Sequence, residues 1–242
     1  MNILEHITIG EWVAEDYRTA SVFSKYGIDF CCKGNITLDE ACDKKGIDSI
    51  EVQHEIDIIL NTKATHDIDF KSWPIDLLID YIEKVHHRYV EEKSVTLLLY
   101  LDKLCKVHGK SHSELFKITE HFKTSAGELA QHMKKEELVL FPFIKNLFYA
   151  LKTNTAIAHP HFGTVNNPIA MMMNEHDAEG ERFREIAKLT NNYNPPTDAC
   201  ETYKVTFAML KEFEQDLHKH IHLENNIVFP KAKEMETKLN LN

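Results

Sequence analysis

The sequence predicts an all-α protein in which a small helical N-terminal domain precedes an antiparallel four-helix bundle. Among its 242 residues only 8 are glycine and 7 are proline, so chain-breaking positions are few. Apolar residues recur at three-and-four spacing instead of alternating, which is the pattern of helices with one buried face. Prolines and glycines divide the chain beyond residue 72 into four long helical stretches, enough to close a bundle.

Residues 1–60 are expected to form a small helical domain that carries two adjacent cysteines. Cys31 and Cys32 lie in a glycine-bounded turn between its first two helices. A segment this short buries too little apolar surface to ensure stability alone. The polar stretch within residues 61–72 is expected to be a linker. The three predicted helices cover about 12–26, a segment starting near 37, and about 49–60.

Residues 73–242 are expected to form the bundle. Pro74 marks the start of its first helix, because the N–H that proline lacks has no helical partner in a first turn. Ser111 and Glu114 have the spacing of a capping box, which opens the second helix. Pro195 and Pro196 precede the fourth. The four predicted helices cover about 74–107, 112–151, 167–191 and 197–238.

Composition excludes several classes of protein. The formal charge of −10 is unfavourable for binding nucleic acid or an anionic membrane. No stretch approaches the roughly 20 apolar residues of a membrane helix. The N-terminal residues lack the basic start and apolar run of a secretory signal, and five cysteines do not suggest a disulfide framework, so we expect a cytoplasmic protein.

Two histidine–glutamate pairs occupy core positions of the second and fourth helices. His132 and Glu136 are four residues apart, as are His220 and Glu224, and Phe-Pro follows each pair at the same distance. Residues four apart share one face of a helix, so each pair aims an imidazole and a carboxylate at one point. A carboxylate buried without a partner is costly, and a cation is the simplest common partner.

The other two helices contribute further histidines. His176 falls on the inward stripe of the third helix, and one of the adjacent residues His86 and His87 should face inward from the first. Stripe counting slightly favours His86, although periodicity judges poorly between neighbours. Four histidines and two glutamates exceed the needs of one tetrahedral zinc and suit two metals sharing both carboxylates. Nitrogen and oxygen ligands without thiolate fit iron or manganese, and we expect iron.

Five motifs are spread over nearly the whole chain. They are Asp29-Phe30-Cys31-Cys32-Lys33-Gly34, His86-His87-Arg88-Tyr89, His132 to Glu137 with Leu140-Phe141-Pro142, Asn174-Glu175-His176-Asp177, and His220 to Asn226 with Phe229-Pro230. With these motifs the chain resembles hemerythrin-like di-iron proteins, and more closely the iron–sulfur cluster repair di-iron proteins, also called the repair of iron centres family. The resemblance departs at Ser94-Val95-Thr96, where many relatives have Leu-Pro, so the first helix is expected to run straighter.

The resemblance implies a hemerythrin-like bundle holding two non-haem irons, bridged by oxo or hydroxo groups and by the carboxylates of Glu136 and Glu224. It implies that the terminal ligands are His87, His132, His176 and His220, and so it selects His87 over His86. Glu175 and His108 are equally well interpreted as groups supporting the site or its access path and as ordinary surface residues.

The role of the cysteine pair stays open from the residues alone, and the resemblance favours function. Adjacent cysteines make an awkward chelate and a strained disulfide. In an exposed turn they could react, bind metal transiently or bridge two chains, and Lys33 could lower the pKa of a thiol there. The alternative is a pair of small hydrophobic residues. Cys42, Cys105 and Cys200 are expected to be ordinary core or helix residues.

The resemblance implies a stress-response protein that helps repair iron–sulfur clusters damaged by nitric oxide or oxidants. Iron donation, with the thiols as a route, and nitric oxide reduction are both open, so whether it is an enzyme stays undecided. The alternative is a hemerythrin-like protein that binds or senses dioxygen or nitric oxide. A di-iron oxidase is disfavoured, because such sites use more carboxylates. Expected partners are damaged iron–sulfur proteins, an electron donor and a second copy of the chain.

Overall fold

The computed structural model describes residues 7–62 and 68–239, and within these ranges the chain is helical and forms no strand. The all-α prediction is therefore confirmed. The helices of the front part are α1 (Ile9–Glu15), α2 (Ala20–Lys25), α3 (Leu38–Asp43) and α4 (Ser49–Asn61), with single 3₁₀ turns at Tyr17–Thr19 and Phe70–Ser72. No described helix combines the length and apolar character required to cross a membrane.

Four long helices follow and form the bundle, as predicted. Three of them contain a π turn, in which the backbone widens by one residue. α5 consists of Ile75–Tyr81, the π turn Ile82–His87 and Arg88–His108, and α6 of Glu114–Lys135, the π turn Glu136–Leu140 and Phe141–Thr153. α7 is Asn166–Leu189, and α8 consists of Glu201–Leu223, the π turn Glu224–Val228 and Phe229–Lys238.

The predicted capping box at the start of the second bundle helix is wrong. α6 begins at Glu114, and Ser113, its N-cap residue, makes no side-chain cap hydrogen bond. His112 Nδ1 lies 3.2 Å from Glu114 Oε1, so the Glu114 carboxylate contacts the His112 imidazole in the preceding turn. Capping boxes open two helices of the front part, at Thr8 and at Thr37.

The repeated Phe-Pro pairs are explained by the π turns that precede them. The N–H of Phe141 donates to the carbonyl of Glu136, and the N–H of Phe229 donates to that of Glu224. A proline within a regular helix clashes with the carbonyl four residues earlier and leaves it without a donor. Pro142 and Pro230 each lie two residues after the last residue of the widened turn, where the backbone already departs from that pattern.

The front part packs against the bundle. Phe30 and Cys31 belong to the same apolar cluster as Phe213 and Leu217 of α8. A second apolar cluster, including Phe70 and the Phe-Pro ends of α6 and α8, fills the opposite end of the bundle. Residues 63–67 of the predicted linker lie outside the described residues, and the division into two domains stays a prediction.

Candidate metal centre

The six predicted ligands lie inside the bundle, and three of them lie at the first or last residue of a π turn. His87 closes the π turn of α5, while Glu136 and Glu224 open those of α6 and α8. Each of the six residues is at most 3% exposed. π turns occur frequently at functional sites because they redirect side chains from the regular helical register.

One half of the site is formed by His132 and His176 with the two glutamates. The Nε2 atoms of the two imidazoles face each other at 3.1 Å. His132 Nε2 lies 3.3 Å from Glu136 Oε2, and His176 Nε2 lies 3.1 Å from Glu224 Oε2. One donor atom from each of these four residues lies within 4.8 Å of the other three, which is close enough to hold one cation.

The other half is formed by His87 and His220 with the same two glutamates. His220 Nε2 lies 2.9 Å from Glu224 Oε1, and His87 Nε2 lies 3.5 Å from Glu136 Oε2. These four residues also offer donor atoms within 4.8 Å of one another. Both carboxylates belong to both halves, which is the arrangement of a two-metal site with shared bridging ligands.

The unsatisfied polar atoms of the site fit a cation. Within residues 7–62 and 68–239, the buried atoms that lack a hydrogen-bond partner include His87 Nε2, both carboxylate oxygens of Glu136 and Glu224 Oε2. Some of these atoms lie within ion-pair distance of one another without hydrogen-bond geometry. Leaving such groups unpaired is costly, whereas coordination would satisfy them together.

The electrostatics of the site favour charged carboxylates. Burial opposes the charged form, yet the neighbouring histidines hold the pKa of Glu136 low and that of Glu224 well below its ordinary value. Burial also opposes the charged form of His132, but Glu136 raises its pKa to about 10. Protons on histidine therefore balance the carboxylates in the absence of metal, and a cation can take over that role.

Three of the four candidate histidine ligands are oriented by a residue adjacent in sequence to another ligand. The outer nitrogens of His87, His132 and His176 each lie at hydrogen-bond distance from one oxygen acceptor. The pairs are His87 Nδ1 with Glu137 Oε1 at 2.8 Å, His132 Nδ1 with Glu175 Oε2 at 2.8 Å, and His176 Nδ1 with Asn225 Oδ1 at 2.9 Å. Such partners hold the Nε2 lone pair toward the centre.

Sequence reasoning assigned no role to Glu137 or Asn225, although both follow a predicted ligand directly. Glu175, for which two interpretations were open, lies in the supporting position beside His132. His108 lies at the other end of α5, about 30 Å along the helix from His87. Its Nε2 lies 3.2 Å from Cys200 Sγ, so it does not line the site.

The structure brings His87, and not His86, to the glutamates, so the stripe argument was wrong. That argument stepped four residues from Ile82 to reach position 86. The π turn Ile82–His87 adds one residue to that helical turn, so the inward position falls on His87 instead of His86. His86 is buried as well, but its Nδ1 lies 2.9 Å from Asp216 Oδ1 and its ring stacks on that of His220.

The cysteine turn lies directly on the ligand-bearing helices. The Cys32 thiol contacts the main-chain oxygen of His176 at 3.4 Å, and the Asn225 side chain donates to the Cys31 carbonyl at 3.0 Å. Cys31 is only 3% exposed, which corrects the expectation of an exposed pair. The neighbouring Cys32 thiol and burial raise the pKa of Cys31 well above its ordinary value, so the expected lowering by Lys33 is wrong for this thiol.

The remaining cysteines are free and lie in different surroundings. Cys42 is buried in the front part, and Cys105 contacts Thr119 between α5 and α6. Cys200 is exposed and is the N-cap residue of α8, so it is neither a core residue nor a residue within the helix. The expectation of an ordinary core or helix residue is wrong for this cysteine.

Comparisons with known proteins agree with this site. The family model described as the hemerythrin HHE cation binding domain matches residues 78–232, and a model described as a domain of unknown function matches residues 5–59. A probable iron–sulfur cluster repair protein of Haemophilus influenzae is 34% identical over 87% of this chain and 89% of that protein. The iron–sulfur cluster repair protein YtfE of Escherichia coli O81 is 34% identical over 93% and 95%. The corresponding ScdA protein of Staphylococcus haemolyticus is 30% identical over 92% and 96%.

Proposed function

This chain belongs to the iron–sulfur cluster repair proteins with a hemerythrin-like domain, and we propose that it holds two non-haem irons and takes part in repairing iron–sulfur clusters damaged by nitrosative or oxidative stress. The observation that carries the proposal is the convergence of six buried donors from four helices into two groups that share both carboxylates. The ligand set proposed is His87, His132, Glu136, His176, His220 and Glu224.

The ligand types support iron in this site. Imidazole and carboxylate donors without thiolate suit iron, and two shared carboxylates suit a pair of ions. When bound, the two irons would supply coordination positions for small molecules such as nitric oxide or dioxygen and would change oxidation state. In the proposal, an oxo or hydroxo group joins the carboxylates in bridging them.

The protein residues contribute orientation, charge and exclusion of water. Glu137, Glu175 and Asn225 hold the outer nitrogens of three histidines, which fixes the direction of their inner nitrogens. Apolar clusters fill the bundle on either side of the site. The cysteine turn packs on α7 at His176, and we propose a role for its thiols in moving metal or a small ligand.

The first experiment measures iron per chain and the visible absorption spectrum of the purified protein. Wild type should bind about two irons, whereas a Glu136→Gln, Glu224→Gln variant should lose them. Glu236→Gln is a matched control, because Glu236 is also a fully buried glutamate but is not one of the proposed ligands. Its carboxylate accepts hydrogen bonds from the Thr164 hydroxyl and the Val165 N–H, just before α7 begins. Equal iron content in the two variants would disprove the ligand assignment.

The second experiment tests repair. Iron-loaded wild type should restore the activity of a [4Fe–4S] enzyme damaged by nitric oxide, and the double variant should not. If repair proceeds by iron donation, the chain loses iron as the target regains activity. If it proceeds by nitric oxide reduction, an added electron donor is consumed, the chain keeps its iron and nitrous oxide accumulates. Reversible dioxygen binding without any effect on damaged targets would favour the carrier alternative.

A further inference from the structure

The cysteine turn contains a group of donors that is separate from the histidine–glutamate site. Asp29, Cys31 and Cys32 each offer an oxygen or sulfur atom, and these three atoms lie within 4.8 Å of one another. Both cysteines are free thiols. The two sulfurs lie 3.7 Å apart, and Cys31 Sγ lies 3.4 Å from Asp29 Oδ1.

These separations match those of ligands on one small cation. Two thiolates bound at about 2.3 Å in tetrahedral geometry lie about 3.8 Å apart. A thiolate and a carboxylate oxygen on the same ion lie about 3.6 Å apart. Adjacent cysteines were expected to chelate awkwardly, but here the turn directs both sulfurs to one side. We propose that Asp29, Cys31 and Cys32 form a second metal site, which takes a borderline divalent cation such as Fe²⁺ or Zn²⁺.

The backbone of the turn is fixed around this triad. Asp29 Oδ1 accepts the main-chain N–H groups of Cys31 at 3.1 Å and Cys32 at 2.9 Å. Gly180 of α7 permits the close approach of the turn, because a β-carbon there would lie 3.2 Å from Cys32 Sγ. A glycine inside a helix is destabilising relative to alanine, and the position of Cys32 accounts for its presence. The donors are therefore held in place before a cation arrives.

Charge and access are consistent with a divalent cation. Arg184 Nη1 lies 2.9 Å from Asp29 Oδ2 and balances one negative charge. The two thiolates would leave two further negative charges, which one divalent cation neutralises. Binding would form two metal–sulfur bonds and release the two thiol protons to solvent. A cavity of about 290 Å³, lined by Asp29, Cys31 and His218 among others, gives room for a fourth ligand such as water.

The place of this site gives it a meaning in the proposed function. Cys32 contacts the main chain of His176, and Asn225 connects the Cys31 carbonyl to the His176 imidazole. Iron that leaves the buried site beside His176 could therefore be received by the thiols before it passes to an acceptor. This transfer role rests on the proposed function, whereas cation binding by the triad does not.

Cobalt titration of the full, reduced, metal-free chain tests the site. The histidine–glutamate site contains no sulfur, so sulfur-to-cobalt charge-transfer bands report on the thiols alone. Wild type and the Glu136→Gln, Glu224→Gln variant should both develop these bands, with about two protons released for each cobalt bound at the thiols. A Cys31→Ser, Cys32→Ser variant should lack them, and a Cys105→Ser, Cys200→Ser variant should keep them.

Asp29→Asn tests the carboxylate ligand, because the amide oxygen can still accept the N–H groups that fix the turn. The affinity for cobalt at the thiols should fall about tenfold or more. Absence of the bands in wild type, or their persistence without Cys31 and Cys32, would overturn the site. The Glu136→Gln, Glu224→Gln variant separates the two proposals. If this variant keeps its iron and also develops the cobalt bands, the proposed histidine–glutamate ligand set is refuted, whereas the second site is supported.

Release of Fe²⁺ to a chelator tests the transfer role. The Cys31→Ser, Cys32→Ser variant, loaded to the iron content of wild type, should release iron several-fold more slowly. Equal rates would exclude the thiols from the release path, independently of the cobalt result.

Discussion

The thiol of Cys32 in the front part of the chain lies 3.4 Å from the main-chain oxygen of His176 in the third bundle helix. This contact joins residues 144 positions apart in the sequence. It places the cysteine turn directly against the candidate metal centre. The sequence alone did not determine the position of this turn. The side chain of Asn225 makes a second connection between the same two regions.

Asn225 should couple the cysteine turn to the metal ligand His176. Asn225→Leu removes both of its hydrogen bonds, and metal affinity at the buried site should fall about 10- to 100-fold. Asn225→Asp keeps an acceptor for His176 Nδ1, so its affinity should fall much less. Metal retention against a graded series of chelators measures both.

Asn226→Asp is the matched control for Asn225. Asn226 also donates to the turn, at the Phe30 carbonyl, but contacts no candidate ligand. Its replacement should leave metal retention near that of wild type. An equal loss in the Asn225→Leu and Asn226→Asp variants would mean that docking of the turn, and not orientation of His176, sets the affinity.

The turn between α5 and α6 should stabilise the protein more at low pH than at high pH. A hydrogen bond with Asp198 raises the pKa of His112 above its ordinary value of 6.5, and Glu114 contributes in the same direction. The His108 and Tyr203 rings also face His112. Because the folded pKa exceeds the unfolded one, the contribution is complete below about pH 6.5 and is lost as pH rises through the folded pKa.

Thermal unfolding of wild type and His112→Gln between about pH 5 and pH 9 measures this effect. The midpoint difference should be largest at the acid end and should disappear toward the alkaline end. The difference should be small, since Asp198 is largely exposed. Asp198→Asn should flatten the profile in the same way, and a difference that grows with pH would contradict the assignment.

Phe213 should be a principal stabilising residue of the bundle end remote from the Phe-Pro pairs. It is fully buried, stacks on Phe183 and meets Phe122 edge to face. Phe213→Ala should lower the free energy of unfolding by about 3–5 kcal/mol. Phe116→Ala, at a position 55% exposed, should change it by about 0.5 kcal/mol or less. Denaturant unfolding compares the two, and similar losses would contradict the packing described.

The five cysteines should be alkylated at very different rates. Cys200 is exposed and lies beside His108, so it should react first. Cys31 and Cys42 are buried and should react last, while Cys32 and Cys105 should be intermediate. Mass spectrometry of timed samples measures the order, and unfolded protein should show similar rates at every position. Rapid labelling of Cys31 in the folded chain would contradict its burial.

Much of this architecture could be predicted from local sequence patterns. Helical periodicity and the positions of Pro74 and Gly109 defined the first bundle helix to within a few residues, because helix starts and stops depend on local backbone chemistry. The His132–Glu136 and His220–Glu224 pairs were predicted to point inward, because a polar residue at an apolar stripe position is conspicuous.

Tertiary structure decided the features that depend on register and on distant partners. A π turn adds one residue to a helix, so the periodic stripe alone could not choose His87 over His86. The partners Glu137, Glu175 and Asn225 become evident only when neighbouring helices are in place, since each contacts a histidine of another helix. The sequence by itself determined the helices and the chemistry of the donors. Only packing decided which donors meet, because contacts such as that of Cys32 with His176 join segments far apart in the chain.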